Sequence, residues 1–219
     1  MLNNAGNAVD TLGTINADFH SFTLVDNIAT GLTQSGPLTA GIFKLTNTDS
    51  PTTLTNTGNS ILSLGAINAP GQVFTLVNNI NPGMSQSGAL TANTLIFTNT
   101  AGMTQLTNPG NAISNLGAIN AAGQFFALSN TVALVQSGAL TAGTLTLTNT
   151  AGYTALNNAG NAITNLGAIT APGGFALING NTALTVTRDI STTNTPVSIS
   201  TGSGNYRQND VDIASGSGD

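Results

Sequence analysis

The sequence contains no cysteine, no tryptophan and no glutamate, and only 5% of its 219 residues are charged. Without cysteine there is no disulfide framework and no thiol or Cys–metal chemistry. An ordinary globular domain carries about 25% charged residues. Soluble helices rely on Glu, Lys and Arg for their wet face, so this composition argues against a helical protein. The eight acids are all Asp, and the 138 residues between Asp49 and Arg188 carry no formal charge. Lys44, Arg188 and Arg207 are the only basic residues. They cannot form the electrostatic footprint that nucleic acid requires, so no nucleic-acid partner is expected. Asn, Thr and Gly break every apolar run well short of the roughly 18 residues a spanning helix needs, so no membrane insertion is expected. The basic and apolar regions of a secretory signal are missing at Met1.

What fills the space is a repeat. "GNAVDTLGTINADFHSFTLVD" opens at Gly6, "GNSILSLGAINAPGQVFTLVN" at Gly58, "GNAISNLGAINAAGQFFALSN" at Gly110 and "GNAITNLGAITAPGGFALING" at Gly160. The period is 52, 52 and 50 residues. A smaller frame lies inside it, a Gly-Ala-(Ile/Leu)-x-Ala group followed by an apolar-x-Leu-x-Asn run. Its glycines are Gly13, Gly36, Gly65, Gly88, Gly117, Gly138 and Gly167, spaced 23, 29, 23, 29, 21 and 29. Gly and Asn suit turns, while Thr, Leu and Ile at alternating positions suit strands.

Aligning these units gives columns. One holds Phe22, Phe43, Phe74, Leu95, Phe126, Leu145 and Phe175. Two residues on stand Leu24, Leu45, Leu76, Phe97, Leu128, Leu147 and Leu177. Two further stands Asp26, followed by Asn47, Asn78, Asn99, Asn130, Asn149 and Asn179. A spacing of two is strand periodicity, with one face buried. One such unit cannot bury its own apolar face, but a stack of them in register can. The sequence therefore predicts an all-β parallel β-helix (a β-solenoid) of about eight coils, alternating between 21–23 and 29 residues. In this reading Leu packs on Leu and the six asparagines form a hydrogen-bonded ladder. Residues 1–187 make the repeat domain, with repeats near 6–57, 58–109, 110–159 and 160–187. Residues 188–219 regain charge and lose the glycine frame but keep alternation, and read as divergent C-terminal coils of the same solenoid. The chain reads as a segment of a longer protein.

With the columns in place, "GNAISNLGAINA", "SGALTAGTLTLTNTAG" and "VDIASGSGD" resemble the haemagglutination-activity and repeat regions of filamentous haemagglutinin-like adhesins. These are large bacterial proteins exported by two-partner secretion or as autotransporter passengers. The resemblance is one of repeat style over nearly the whole chain. It implies a right-handed parallel β-helix, an extracellular or cell-surface location, and a role in adhesion or surface structure. Members of that family carry a signal peptide and a capped secretion domain before the repeats, and neither motif is seen here.

Candidate chemistry is sparse. β-Helix enzymes acting on polysaccharides need clustered carboxylates with Lys or Arg, or two carboxylates across the scissile bond. The only dense polar patch is "NADFHSFTLVD", with Asp18, His20 and Asp26, and Asp10 nearby. Asp26 replaces a ladder Asn and His20 stands where Gln72 and Gln124 stand later, so the patch reads as drift and the protein as non-catalytic. Asp210, Asp212 and Asp219 supply oxygen ligands among glycines, but the nonapeptide calcium pattern is missing, so no metal or cofactor is expected. "TNT" recurs at residues 46–48, 98–100 and 148–150 only on alternate coils, which is too broken for a flat Thr array. With no Trp, Tyr153 and Tyr206 offer little for a sugar to stack on. Val25, Val77, Ile96 and Ile178 are expected to point outward as an apolar stripe for lateral contact. The expected function is a structural and adhesive shaft, its partners being other copies, end to end or lateral, or a host or cell-surface ligand. A filament subunit stacking head to tail is the alternative, and an enzyme the least favoured.

Overall fold

A computed structural model describes residues 1–209 and 212–214. Among them every named strand pairs in parallel and there is no helix. The result is a β-solenoid of about ten turns, not eight. The long strands Ile15–Asp26, Leu38–Asn47, Ser60–Val77, Leu90–Thr98, Ala112–Asn130 and Leu140–Asn149 form its body. Along most of their length alternate side chains are buried, because every coil lays its apolar face on the next, although residues 18–21 in the first of them are exposed. The interior is a column of Leu, Ile and Phe, including Leu24, Leu45, Phe74, Leu76, Phe97 and Leu116. Phe22 stacks on Phe43 with ring centroids 5.9 Å apart and planes inclined by 10°.

Register corrects the expected coil lengths. Ile15 pairs with Leu38, Ser21 with Ile42, Phe43 with Leu64, and Phe126 with Leu145. Paired residues on successive coils lie 19 to 23 positions apart, so coils are of about the same length throughout, and the expected 29-residue coils do not occur. The 52-residue repeat is not a whole number of coils. Two coils carry Phe22 through Phe43 to Leu64, whereas the repeat equivalent of Phe22 is Phe74, ten residues further round. Two coils from Phe74 likewise lead through Leu95 to Leu116, ten residues short of Phe126. One repeat therefore spans nearly two and a half coils, and successive repeats present the same motif to opposite sides of the rod. The predicted Phe column survives only in pairs: Phe22 with Phe43, Phe74 with Leu95, and Phe126 with Leu145.

Two kinds of glycine hold this geometry. At Gly88 and Gly138 a Cβ would lie 2.3 Å from the backbone nitrogen of Ala66 and Ala118 in the coil below, so only glycine permits the approach. Gly71 and Gly123 have φ of +76° and +71° at the turns that interrupt the register after Ala69 and Ala121. Left-handed backbone there favours a residue without a side chain. Further on, Val197–Ser200 pairs with Phe175–Ile178, Tyr206–Gln208 with Leu184–Val186, and Ile213–Ala214 with Ile190–Ser191.

Candidate functional site

All six predicted ladder asparagines are buried. They stack in register only two at a time, as Asn130 on Asn149, and as Asp26 on Asn47. The expected buried, stacked asparagines are thus present in short ladders, while their amides bond within the coil, in two ways. Asn78 Oδ1 accepts from Ile61 N at 2.8 Å and its Nδ2 donates to Ile61 O at 2.9 Å. Asn179 repeats this on Ile163, and Asn130 Oδ1 accepts from Ile113 N. The other three reach forward across a turn: the Nδ2 atoms of Asn47, Asn99 and Asn149 donate to Oγ1 of Thr52, Thr104 and Thr154. The two modes belong to the two coils of a stacked pair: in the first the amide meets the backbone 16 to 17 residues before it, and in the second it meets the Thr five residues after it. No asparagine column continues beyond two coils, so buried amides take partners in their own coil.

A second polar device was not singled out from sequence. Asn59, Asn111 and Asn161, the asparagines of the "GN" that opens the second, third and fourth repeats, are buried and meet Gln34, Gln86 and Gln136. In the middle set, Gln86 Nε2 donates to Asn111 Oδ1 at 2.6 Å, and Leu90 N donates to the same oxygen at 2.8 Å. Asn111 Nδ2 faces Gln86 Oε1, Leu106 O and Ser129 O, each at 3.0 Å. Gln86 Oε1 also accepts from Asn108 N at 2.9 Å. The clip ties one coil to the next and closes the turn between them. Its signal was present in sequence as a Gln-Ser-Gly followed by Gly-Asn at a fixed offset of 25 residues.

The Asp/His patch is not assembled. Asp26 is buried, with Oδ1 accepting from Val9 N at 2.8 Å. Asp10 Oδ1 accepts from Thr30, and His20 Nδ1 lies 2.6 Å from the Asp18 carbonyl oxygen, not its carboxylate. Among the described residues no three His, Cys, Asp or Glu side chains gather in a way that could hold a metal. Asp212 N donates to Asp189 Oδ1, while Asp210 and Asp219 lie outside the described residues.

The predicted lateral stripe is also not assembled. Val25 is followed up the stack by Thr46 and Asn68, Val77 by Thr98, and Ile178 by Ser200, while Ile96 sits on Thr75. The outward positions of successive repeats lie on opposite sides, so only Val77 and Ile96, diagonal neighbours on adjacent coils, come near each other and no continuous stripe forms. The Thr triplets are separated for the same reason: Thr46 meets Asn68, and Thr98 meets Asn120.

A different apolar face does form. Phe19 is 80% exposed, Met103 44% and Leu62 39%. Leu62, Pro82, Met84 and Met103, with Ser85 and Gln105, line an open groove of about 160 Å³. Phe19 has φ of +57°, in the turn where later repeats place Gly71 and Gly123. A bulky residue there stores on the order of 1–3 kcal/mol of strain.

No family model, curated protein or solved structure matches the chain.

Proposed function

We propose that the chain is a non-catalytic, structural and adhesive shaft segment of a bacterial surface or secreted fibre. The observation that carries this reading is how the polar side chains are used. The buried polar residues of the repeat serve the stack itself: Asn closes coils, Gln and Asn clip them together, and Thr fastens turns. A repeat whose polar groups are committed to its own rigidity makes a rod that holds other things apart. The shortage of charge suits the same role, since stacked identical charges about 5 Å apart would repel along the rod. The surface location follows the resemblance of the repeat style and is part of the proposal.

The test is to display the chain on the surface of a non-adherent bacterium and measure retention on host-cell layers under flow. Retention above that of cells displaying an unrelated protein at equal density is expected. Equal retention would remove the adhesive part of the reading. Release of oligosaccharides from a panel of surface polysaccharides would overturn the non-catalytic part.

A further inference from the structure

Phe19 is anomalous twice over. Its backbone lies in the left-handed region that Gly71 and Gly123 occupy in later repeats, and its ring is 80% exposed. Within the monomer, strain is incurred and the ring gains almost no burial in return. Strain kept at an exposed aromatic calls for a contact outside the monomer.

The receptor lies on the same face. A Cβ on Gly41 would lie 2.7 Å from the Phe19 carbonyl carbon, so Gly41 is directly above that turn. Ile42 pairs with Ser63, Ser63 with Ser85, and Gly83 with Met103. Phe19 and the groove of Leu62, Pro82, Met84 and Met103 are therefore centred about three coils apart, roughly 14 Å at the usual strand spacing. The groove measures about 160 Å³ and its exposed lining is mostly apolar, and an apolar cavity of about 150 Å³ accepts a benzene ring.

We propose that this face pairs two copies of the chain, with Phe19 of each seated in the Leu62–Met103 groove of the other. Knob and groove share a face, so two antiparallel rods related by a two-fold axis make both contacts at once. A second copy is the favoured occupant because the chain itself carries on this face an exposed ring that gains no burial in the monomer, and because the groove lining has no charge to select a charged partner. Two rings of about 200 Å² each, with the groove walls they cover, bury on the order of 800 Å². A standard stable interface buries about 1,600 Å². The pairing is thus weak, and it populates only where rods are concentrated. It does not depend on the shaft reading.

Sedimentation equilibrium of the full chain, from low-micromolar to millimolar concentration, tests it. A monomer–dimer equilibrium is expected, weakened about ten-fold or more by Phe19→Gly and by Met103→Lys. Phe19→Gly also relieves the turn, so its melting temperature rises, and lost association cannot be put down to misfolding. Mixing the two variants restores one of the two contacts, and association recovers in part. A wild-type chain that stays monomeric throughout overturns the proposal, as does undiminished pairing of Phe19→Gly. Loss with Phe19→Gly but full pairing of a folded Met103→Lys overturns the groove as the receptor.

Discussion

Asp26 occupies the place that Asn78, Asn130 and Asn179 hold in later repeats, and the one-atom difference has a cost. Its Oδ1 accepts from Val9 N as Asn78 Oδ1 accepts from Ile61 N, at 2.8 Å in both cases. Its Oδ2 is buried with no partner, where Asn78 and Asn179 place an Nδ2 that donates to a carbonyl of the facing strand. Restoring the donor in Asp26→Asn removes an unsatisfied buried oxygen and adds a hydrogen bond. A gain of about 1–3 kcal/mol is expected, read as a rise in the urea midpoint at constant slope. No change or a fall would mean that Val9 O is not available to the new amide. That these positions are interior was legible in the sequence, because Asn recurs two residues after a buried Leu. Their partners were not, because a buried amide is satisfied by whatever carbonyl or hydroxyl the turn brings, and turn geometry leaves no periodic trace.

At the scale of the element, the Gln–Asn clip couples pieces of chain that are far apart in sequence. Asn111 reaches Gln86, Leu90, Leu106 and Ser129 from one side chain. Asn111→Ala strips partners from groups that stay buried, and a loss of about 3 kcal/mol or more is expected. Gln86→Ala removes fewer contacts and costs less. The double variant should lose clearly less than the two singles combined, since each single already breaks the Gln86–Asn111 pair. Strict additivity in denaturant titrations would show that the two side chains do not act as a unit. The strands themselves were legible, because alternation of Leu, Ile and Phe survives every substitution between repeats. The outward side was not. Val25 and Val77 hold equivalent places in the repeat, but the half-coil advance sends them to opposite sides, and the repeat length alone does not reveal the coil length. The face that does form combines Phe19 with Leu62 and Met103, residues with no common place in the repeat, so no alignment of units brings them together.

For the whole molecule, this mismatch between repeat and coil makes an unusual ordering of deletions. Removing residues 58–109 takes out a full repeat and nearly two and a half coils. The new junction, Thr57 to Gly110, reproduces the native Thr57-Gly58-Asn59 sequence as Thr-Gly-Asn. Asn111 then lies 25 residues after Gln34, the native spacing of Gln34 to Asn59, so the clip re-forms. Removing residues 64–85 takes out a single coil, as the pairing of Leu64 with Gln86 defines it. That smaller cut removes Asn78 and leaves the buried Ile61 amide and carbonyl without the partner they now have. It also removes Val77 O, an acceptor for Asn59. A stack of nearest-neighbour coils tolerates loss of units but not of the contacts that join them. The 52-residue deletion is therefore expected to melt cooperatively, a few degrees below the parent and with a smaller denaturant slope. The 22-residue deletion should melt much lower, although it keeps more of the chain. Circular dichroism melts of the two variants decide the matter, and the reverse order would mean that the coil, not the repeat, is the unit of stability. The larger deletion also turns every later coil by about half a revolution and removes the Leu62–Met103 groove, so it should remain folded while its self-association is lost.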